Sequence, residues 1–196
     1  MRGYFGIGVE NISKTMNVGN LFRTAHAMGA AFVFTVAANY ERTEGQKSDT
    51  SKSGGHLPFY SFPNVTGLML PEDCQLVGVE LMDGAVELPS FRHPPRAAYV
   101  LGPERGSLSL EMAQRCDHVL KIPMAFCVNV GIAGAIVMYD RLVSLGRFPA
   151  RPVAPGGPTE PLPDHQFGGR YSRAEMEAFR DTPPEVFNEG EDGEEP

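Results

Sequence analysis

Short apolar runs alternate with an amphipathic segment at the start of the chain. The runs Tyr4–Val9 and Ala31–Ala37 have the length and the β-branched side chains of buried strands. Between them, the segment Asn17–Met28 carries its apolar side chains at helical spacing. Asn17 suits the N-cap of that helix, and Gly29 suits the C′ position that follows it. The pattern therefore predicts a strand–helix–strand unit.

The alternation continues as far as residue 145. Further buried strands are predicted over Gln75–Leu81, Ala97–Leu101 and His118–Ile122, and a strongly apolar final helix over Asn129–Leu145. Strands that alternate with helices in this way form a mostly parallel sheet with helices on both faces. The predicted fold class is therefore α/β, and ligands in such folds bind at the carboxyl ends of the strands.

The composition changes after Phe148. The segment 149–158 is rich in proline, which lacks the amide donor that a helix needs. Beyond it, Ser172–Phe179 indicates one short capped helix, and Glu189–Pro196 is acidic sequence typical of disorder. We therefore predict a folded domain over residues 1–150 and a Pro/Gly-rich acidic tail over residues 151–196 that is largely irregular.

The net charge of −7 is confined to the predicted tail. Residues 1–150 carry 13 basic and 13 acidic side chains, whereas residues 151–196 carry 4 basic and 11 acidic ones. The predicted domain is neutral, so the overall charge does not exclude a nucleic-acid partner.

The remaining composition points to an intracellular setting. No apolar run approaches the ~18 residues that a membrane span needs, and the first residues do not read as a signal peptide, so we expect no membrane anchor. Cys74, Cys116 and Cys127 are an odd number at unrelated spacings, which argues against a disulfide framework and a zinc site. We expect the reducing cytoplasm.

Arg23 is the first residue that calls for a chemical explanation. It lies between Phe22 and Ala25 in a largely apolar helix, where an arginine needs an anion or a solvent-filled cleft. The same segment also reads as an ordinary amphipathic helix. The opening Gly6-Ile7-Gly8 is weaker evidence, because it lacks the third glycine of the dinucleotide-binding fingerprint.

Two later segments place polar residues directly after predicted strands. One strand ends at Gly102, where the missing side chain lets a ligand approach the backbone, and Glu104 follows in a turn before a helix capped by Ser107 or Ser109. Another strand stops at Pro123, and a short apolar loop suited to a purine ring leads to Asn129. A strand–turn–helix connection with a solvated carboxylate is the plainer reading of the first segment. Cys127, taken alone, is more often a small buried hydrophobe than a nucleophile.

In their order and spacing, these segments resemble the SpoU (TrmH-like) methyltransferases of the SPOUT superfamily, over roughly residues 4–145. Three motifs carry the resemblance: Asn17-x-Gly-Asn20-x-x-Arg23-Thr-Ala, then Leu101-Gly102-Pro103-Glu104-x-x-Gly-x-Ser, then Ile122-Pro123-Met124 followed by Asn129. The polar segment Asp49–Pro58 is similar to the substrate loop of such enzymes.

The resemblance implies a fold, a cofactor and a reaction. The fold is an α/β sheet with a deep C-terminal trefoil knot, in a homodimer whose sites lie at the subunit interface. The cofactor is S-adenosylmethionine, and the reaction is 2′-O-methylation of a ribose in tRNA or rRNA.

The resemblance also implies residue roles. Arg23 contacts the ribose–phosphate and assists removal of the hydroxyl proton, Asn17 and Glu104 orient Arg23, and Asn129 holds the ribose or the cofactor. The implied cofactor-binding residues are Leu81, Gly102, Ile122, Met124, Cys127 and Asn129. The implied substrate-binding residues are Asn20, Ser51, Lys52 and Ser53.

Two departures from the family pattern keep other readings open. The loop after Met124 is short, and Cys127–Gly131 replaces the usual Ser-Leu-Asn-Val-Ser. The chain also lacks the basic extension that many relatives carry. One alternative is a catalytically silent RNA-binding protein of the same fold. The other is an unrelated nucleotide-binding α/β enzyme with Cys127 as its nucleophile.

Overall fold

A computed structural model of the chain describes residues 3–38, 57–146, 148, 151–152 and 155–157. The described residues form seven strands: β1 (Tyr4–Glu10), β2 (Phe32–Val36), β3 (Phe59–Phe62), β4 (Gln75–Val79), β5 (Val86–Glu87), β6 (Arg96–Leu101) and β7 (His118–Lys121). They form three α-helices: α1 (Thr15–Ala27), α2 (Leu110–Arg115) and α3 (Val130–Leu145). All of these elements belong to residues 1–147, the first of two compact units.

The seven strands form one sheet in the order β3-β2-β1-β6-β4-β7-β5, and every pairing is parallel. The α/β class and the parallel sheet predicted from the alternating pattern are therefore confirmed. Because the strands are parallel, the ends of β1, β6, β4 and β7 face the same edge of the sheet. Sequence-distant loops meet at this edge.

The core consists of one apolar layer on each face of the sheet. Helices α1 and α3 pack together over one face, where Ile7, Leu21 and Val137 are completely buried. Helix α2 contributes Met112 to the layer on the other face, which contains Phe34. Helices therefore cover both faces, as the strand–helix alternation predicts.

The glycines of Gly6-Ile7-Gly8 make room for aromatic rings of the second layer. A Cβ atom on Gly6 would lie 2.3 Å from the ring of Phe32, and one on Gly8 would lie 2.5 Å from the ring of Phe34. Packing within the core explains this pair of glycines without a dinucleotide.

Helix α1 begins at Thr15, three residues earlier than a helix capped by Asn17 would. Its N-cap is Lys14, which makes no side-chain capping bond, so the prediction of Asn17 as N-cap is wrong. The reason is that the Asn17 side chain bonds to distant loops, as described below. Gly29 has φ +76 and follows the C-cap residue Met28, as predicted. Among the described residues, no helix is long and apolar enough to cross a membrane.

A buried arginine fastens α3 to the opposite edge of the sheet. Arg141 is 0% exposed, and its guanidinium donates to the carbonyl oxygens of Tyr4 (3.1 Å), Pro94 (2.6 Å) and Pro95 (2.8 Å). It also donates to the Tyr99 hydroxyl at 3.2 Å. This anchor fixes the helix whose first turn reaches the candidate site.

Replacing Arg141 with methionine should lower the free energy of unfolding by about 3 kcal/mol, because buried carbonyl oxygens lose their donors. Arg96→Met is the matched control. Arg96 is half-exposed and pairs with Asp73 at 2.9 Å, so its loss should cost at most about 1 kcal/mol. Urea unfolding of both variants measures the difference, and equal costs would contradict the anchoring role.

Candidate active site

A cavity of about 440 Å³ opens at the carboxyl edge of the sheet. It lies among the loops that follow β4, β6 and β7 and the first turns of α1 and α3. The structure brings together on its wall every residue predicted to bind a cofactor: Leu81, Gly102, Ile122, Met124, Cys127 and Asn129. The predicted catalytic residues Asn17 and Glu104 lie on the same wall.

A chain of hydrogen bonds joins three of the predicted catalytic residues. The Asn17 amide nitrogen donates to Glu104 Oε1 at 2.9 Å, and Asn17 Oδ1 accepts from the Asn129 amide nitrogen at 2.9 Å. Asn129 Oδ1 accepts from the Gly131 backbone N–H at 2.8 Å, which caps α3. The side chain of Asn17 is thus bonded on both sides, and the loop after β6, the first turn of α1 and the cap of α3 are held in one arrangement.

Glu104 is held in its charged form by this arrangement. Burial of the carboxylate raises its pKa, but hydrogen bonds from the Asn17 amide and from the backbone of Glu104, Lys14 and Ser13 outweigh the burial, so the net pKa is lowered. The Lys14 backbone N–H donates to Oε1 at 3.1 Å. Glu104 therefore serves as a fixed acceptor that orients the start of α1.

Arg23 lies on a second cleft beside the cavity. Its side chain is exposed, on a cleft of about 830 Å³ between α1 and α3 that Asn20 and Tyr139 also line. Asn17 and Asn129 line both the cavity and this cleft. The solvent cleft predicted for Arg23 is thus present.

The side chain of Asn17 bonds to both Glu104 and Asn129, and these bonds position Asn129 and the start of α1. That Asn17 and Glu104 also orient Arg23 stays a prediction. Asn20, predicted to contact substrate, lies on the cleft with Arg23. Ser51, Lys52 and Ser53 lie outside the described residues.

Gly102 lies close to other parts of the protein as well as on the cavity wall. A Cβ atom there would lie 3.0 Å from the Leu108 backbone nitrogen and 3.1 Å from Glu80 Oε2. The protein's own loop and a carboxylate therefore approach Gly102 closely, in addition to any ligand in the cavity. Cys127 differs from the sequence interpretation, because it is exposed on the cavity wall and is not a buried hydrophobe.

Sequence reasoning missed Glu80, Lys14 and Phe126, which also line the cavity. Glu80 carries a signal that was available, since it is a carboxylate directly after an apolar strand. The Phe126 side chain is 77% exposed. Lys14 takes part in the site through its backbone N–H, which donates to Glu104.

Fold and cavity together define a parallel α/β protein with a ligand-sized site at the carboxyl edge of its sheet. Residues 5–139 match the family model of the SpoU rRNA Methylase family. This match covers more than half of the chain, and the chain therefore belongs to that family.

Two curated relatives share this region. The chain is 27% identical over 138 residues to the tRNA (guanosine(18)-2'-O)-methyltransferase TARBP1 of Mus musculus, with 66% of this chain and 9% of that protein covered. It is 27% identical over 142 residues to the 23S rRNA (guanosine-2'-O-)-methyltransferase RlmB of Neisseria meningitidis serogroup B, with 67% of this chain and 55% of that protein covered. The chain thus spans about half the length of the second relative and a small part of the first.

Solved structures show the same fold. The SpoU methyltransferase AviRb from Streptomyces viridochromogenes in complex with the cofactor AdoMet is similar with a TM-score of 0.66 and 21% identity. The similarity covers 75% of this chain and 60% of that chain.

The lowered pKa of Glu104 predicts how the free energy of unfolding changes with pH. Its charged form stabilises the fold fully above the pKa of an unfolded glutamate, and this contribution is lost as the pH falls through the lower pKa of the folded state. Glu104→Gln should therefore be less stable than wild type at pH 7, and the gap should close in acid. Urea unfolding from pH 7 to pH 3 measures it.

Asn17→Ala provides the control for this prediction. In that background the carboxylate has lost its amide donor, so adding Glu104→Gln should cost less than it does in the wild-type background. A gap that stays constant with pH, or equal costs in both backgrounds, would contradict the bonding described for Glu104.

Proposed function

We propose that this chain is an RNA ribose 2′-O-methyltransferase that uses S-adenosylmethionine. The observation that carries the proposal is the convergence of the family motifs on one site. The Glu104–Asn17–Asn129 chain and the predicted cofactor residues share a single cavity, and Arg23 lies on the adjoining cleft.

The cavity suits an adenosyl cofactor in size and lining. Its volume of about 440 Å³ falls within the usual range for small-molecule sites. Leu101, Ile122 and Met124 supply apolar surface for a purine, and the loops after β4, β6 and β7 bring backbone groups to the wall. AviRb, a protein of the same fold, has been solved with AdoMet bound. When bound, the cofactor supplies a methyl group already activated by its sulfonium.

The chain must then align and activate a ribose hydroxyl, which is a poor nucleophile. The planar Arg23 guanidinium binds the ribose–phosphate and stabilises negative charge that develops on the 2′ oxygen. An adjacent phosphate oxygen, brought close by the same guanidinium, accepts the hydroxyl proton. Arg23 thus acts by orientation and electrostatics.

Asn129 links the two halves of the reaction. It lines both the cavity and the cleft, and bonds on both sides of its amide keep that amide in one orientation. Asn17 and Glu104 hold this orientation, which sets the position of the ribose relative to the methyl group.

The partners follow from charge and exposure. The predicted domain is neutral, so RNA binding depends on short-range contacts more than on long-range attraction. One curated relative is named for tRNA and the other for 23S rRNA, so we propose either class as substrate.

Met16, Ile132 and Tyr139 expose more than half of their surfaces on α1 and α3, which supports a homodimer formed through these helices. We also propose the C-terminal trefoil knot of the family.

The catalytically silent alternative is less well supported, because Asn17, Arg23, Glu104 and Asn129 are all present and three of them are bonded together. Membership of the methylase family sets aside the unrelated enzyme with Cys127 as nucleophile.

Arg23→Ala should abolish methyl transfer to RNA while leaving the affinity for S-adenosylmethionine and the melting temperature nearly unchanged. Arg23→Lys should fail as well, because a point charge does not reproduce the planar guanidinium. Transfer of a labelled methyl group to total RNA measures the activity, and calorimetry measures the affinity.

Arg92→Ala is the control, since Arg92 is exposed and precedes β6 at the opposite edge of the sheet. It should transfer methyl groups like wild type. Full activity of Arg23→Lys would refute the proposed role of Arg23, and a wild-type chain that binds cofactor without transferring its methyl group would favour the silent alternative.

A further inference from the structure

Glu80 is a carboxylate on the cavity wall that the proposed reaction leaves without a role. It follows β4 directly and is half-buried. Its Oε1 atom accepts from the Leu81 backbone N–H at 2.9 Å, and its Oε2 atom accepts from the Leu108 backbone N–H at 2.8 Å. These donors come from different loops, so the carboxylate fastens the loop after β4 to the loop after β6.

The two bonds hold the Glu80 carboxylate in place, and its oxygens can still accept further hydrogen bonds. An ionised carboxylate has about four acceptor positions, and the backbone uses one on each oxygen of Glu80. Because the donors are backbone groups, the side chain is held in place before any ligand binds. The side chains of Leu81 and Leu101, which share the wall, have no acceptor to offer, and the Met124 thioether is only a weak one.

Glu10 provides an internal comparison. It ends β1, which pairs with β6 on the side opposite to β4, and it accepts from the Ser109 backbone N–H at 2.8 Å and the Ser109 hydroxyl at 2.6 Å. Glu10 is 1% exposed and does not line the cavity, so fastening the loop fully accounts for it. Glu80 makes a similar fastening but faces the cavity.

Glu104 is the other carboxylate among the described wall residues, and it is engaged by Asn17 and Lys14. A ligand hydroxyl that enters the cavity loses water and needs an acceptor in exchange. A carboxylate after a parallel strand is the group that receives ribose hydroxyls in dinucleotide-binding α/β proteins.

We propose that Glu80 accepts hydrogen bonds from the ribose hydroxyls of the adenosyl cofactor and thereby positions the nucleoside in the cavity. This inference rests on the proposed function, because it takes the cavity as the adenosyl site. It assigns Glu80 to the ribose of the cofactor, while Arg23 contacts the RNA and Asn129 lies between the two.

The test is calorimetry on the full chain with S-adenosylhomocysteine and its 2′-deoxy and 3′-deoxy analogues. In wild type, a deoxy analogue that lacks a hydroxyl bonded to Glu80 should bind at least about tenfold more weakly than S-adenosylhomocysteine, as expected for a hydrogen bond to a charged group. In Glu80→Gln, the lack of the same hydroxyl should weaken binding less than about threefold. Glu10→Gln should keep the wild-type ratio, because Glu10 lies off the cavity wall.

The ratio between ribose and deoxyribose ligands separates recognition from loop positioning. If Glu80→Gln weakens all three ligands equally and keeps the wild-type ratio, Glu80 only holds the loops and the inference is overturned. If Glu80→Gln does not fold, Glu80→Asp replaces it; a shorter carboxylate should reduce the ratio, and an unchanged ratio would again overturn the inference.

Two further outcomes are distinguishable. 5′-Methylthioadenosine lacks the ammonium group of S-adenosylhomocysteine. In one outcome, wild type binds S-adenosylhomocysteine more tightly than 5′-methylthioadenosine, and Glu80→Gln loses this preference while it keeps the wild-type ratio between ribose and deoxyribose ligands. That result would assign Glu80 to the ammonium group, and it would overturn this inference but not the proposed function. Failure of wild type to bind any adenosyl ligand would instead overturn the proposed function itself.

Discussion

The site depends on one chain of hydrogen bonds, from Glu104 through Asn17 to Asn129. These residues lie after β6, in the first turn of α1 and at the cap of α3. Parallel strands bring these segments to one edge of the sheet, but packing of the apolar core alone does not set their mutual orientation. The amide of Asn17 does so, because it donates to one neighbour and accepts from the other. The cavity and the cleft meet at Asn17 and Asn129, which line both of them. Both spaces therefore take part in the proposed reaction.

The apolar pattern was sufficient to predict the central sheet. β1, β2, β4 and β6 are runs of mostly buried side chains, and runs of that kind can be recognised without tertiary information. β7 contains one fully buried residue, Leu120, beside half-buried Val119. β3 was missed because it is a partly exposed strand at the sheet edge, and β5 because two residues carry no pattern. The error at Asn17 has a different cause. Local preference favours asparagine as an N-cap, but its tertiary partners hold it inside the first turn of α1, so Lys14 takes the cap.

The candidate site was predicted less from physics than from the order of its motifs. Spacing along the chain does not reveal that Ile122 and Leu81 share a wall, since β7 and β4 become neighbours only in the folded sheet. Bonds between loops were also hidden. The residues near Glu80 in sequence do not predict its bond to Leu108, and those near Arg141 do not predict the carbonyl groups that surround it. Such contacts follow from topology, whereas Gly29 could be assigned from its neighbours alone.

Identifying the atom that receives the methyl group tests the central claim most directly. Total RNA from cells that lack this protein is incubated with the full chain and with S-adenosylmethionine carrying a deuterated methyl group. The RNA is then digested to nucleosides for mass spectrometry. The account predicts deuterium in a 2′-O-methyl nucleoside, with the label on the ribose fragment. Deuterium on a base, with unlabelled ribose, would contradict it.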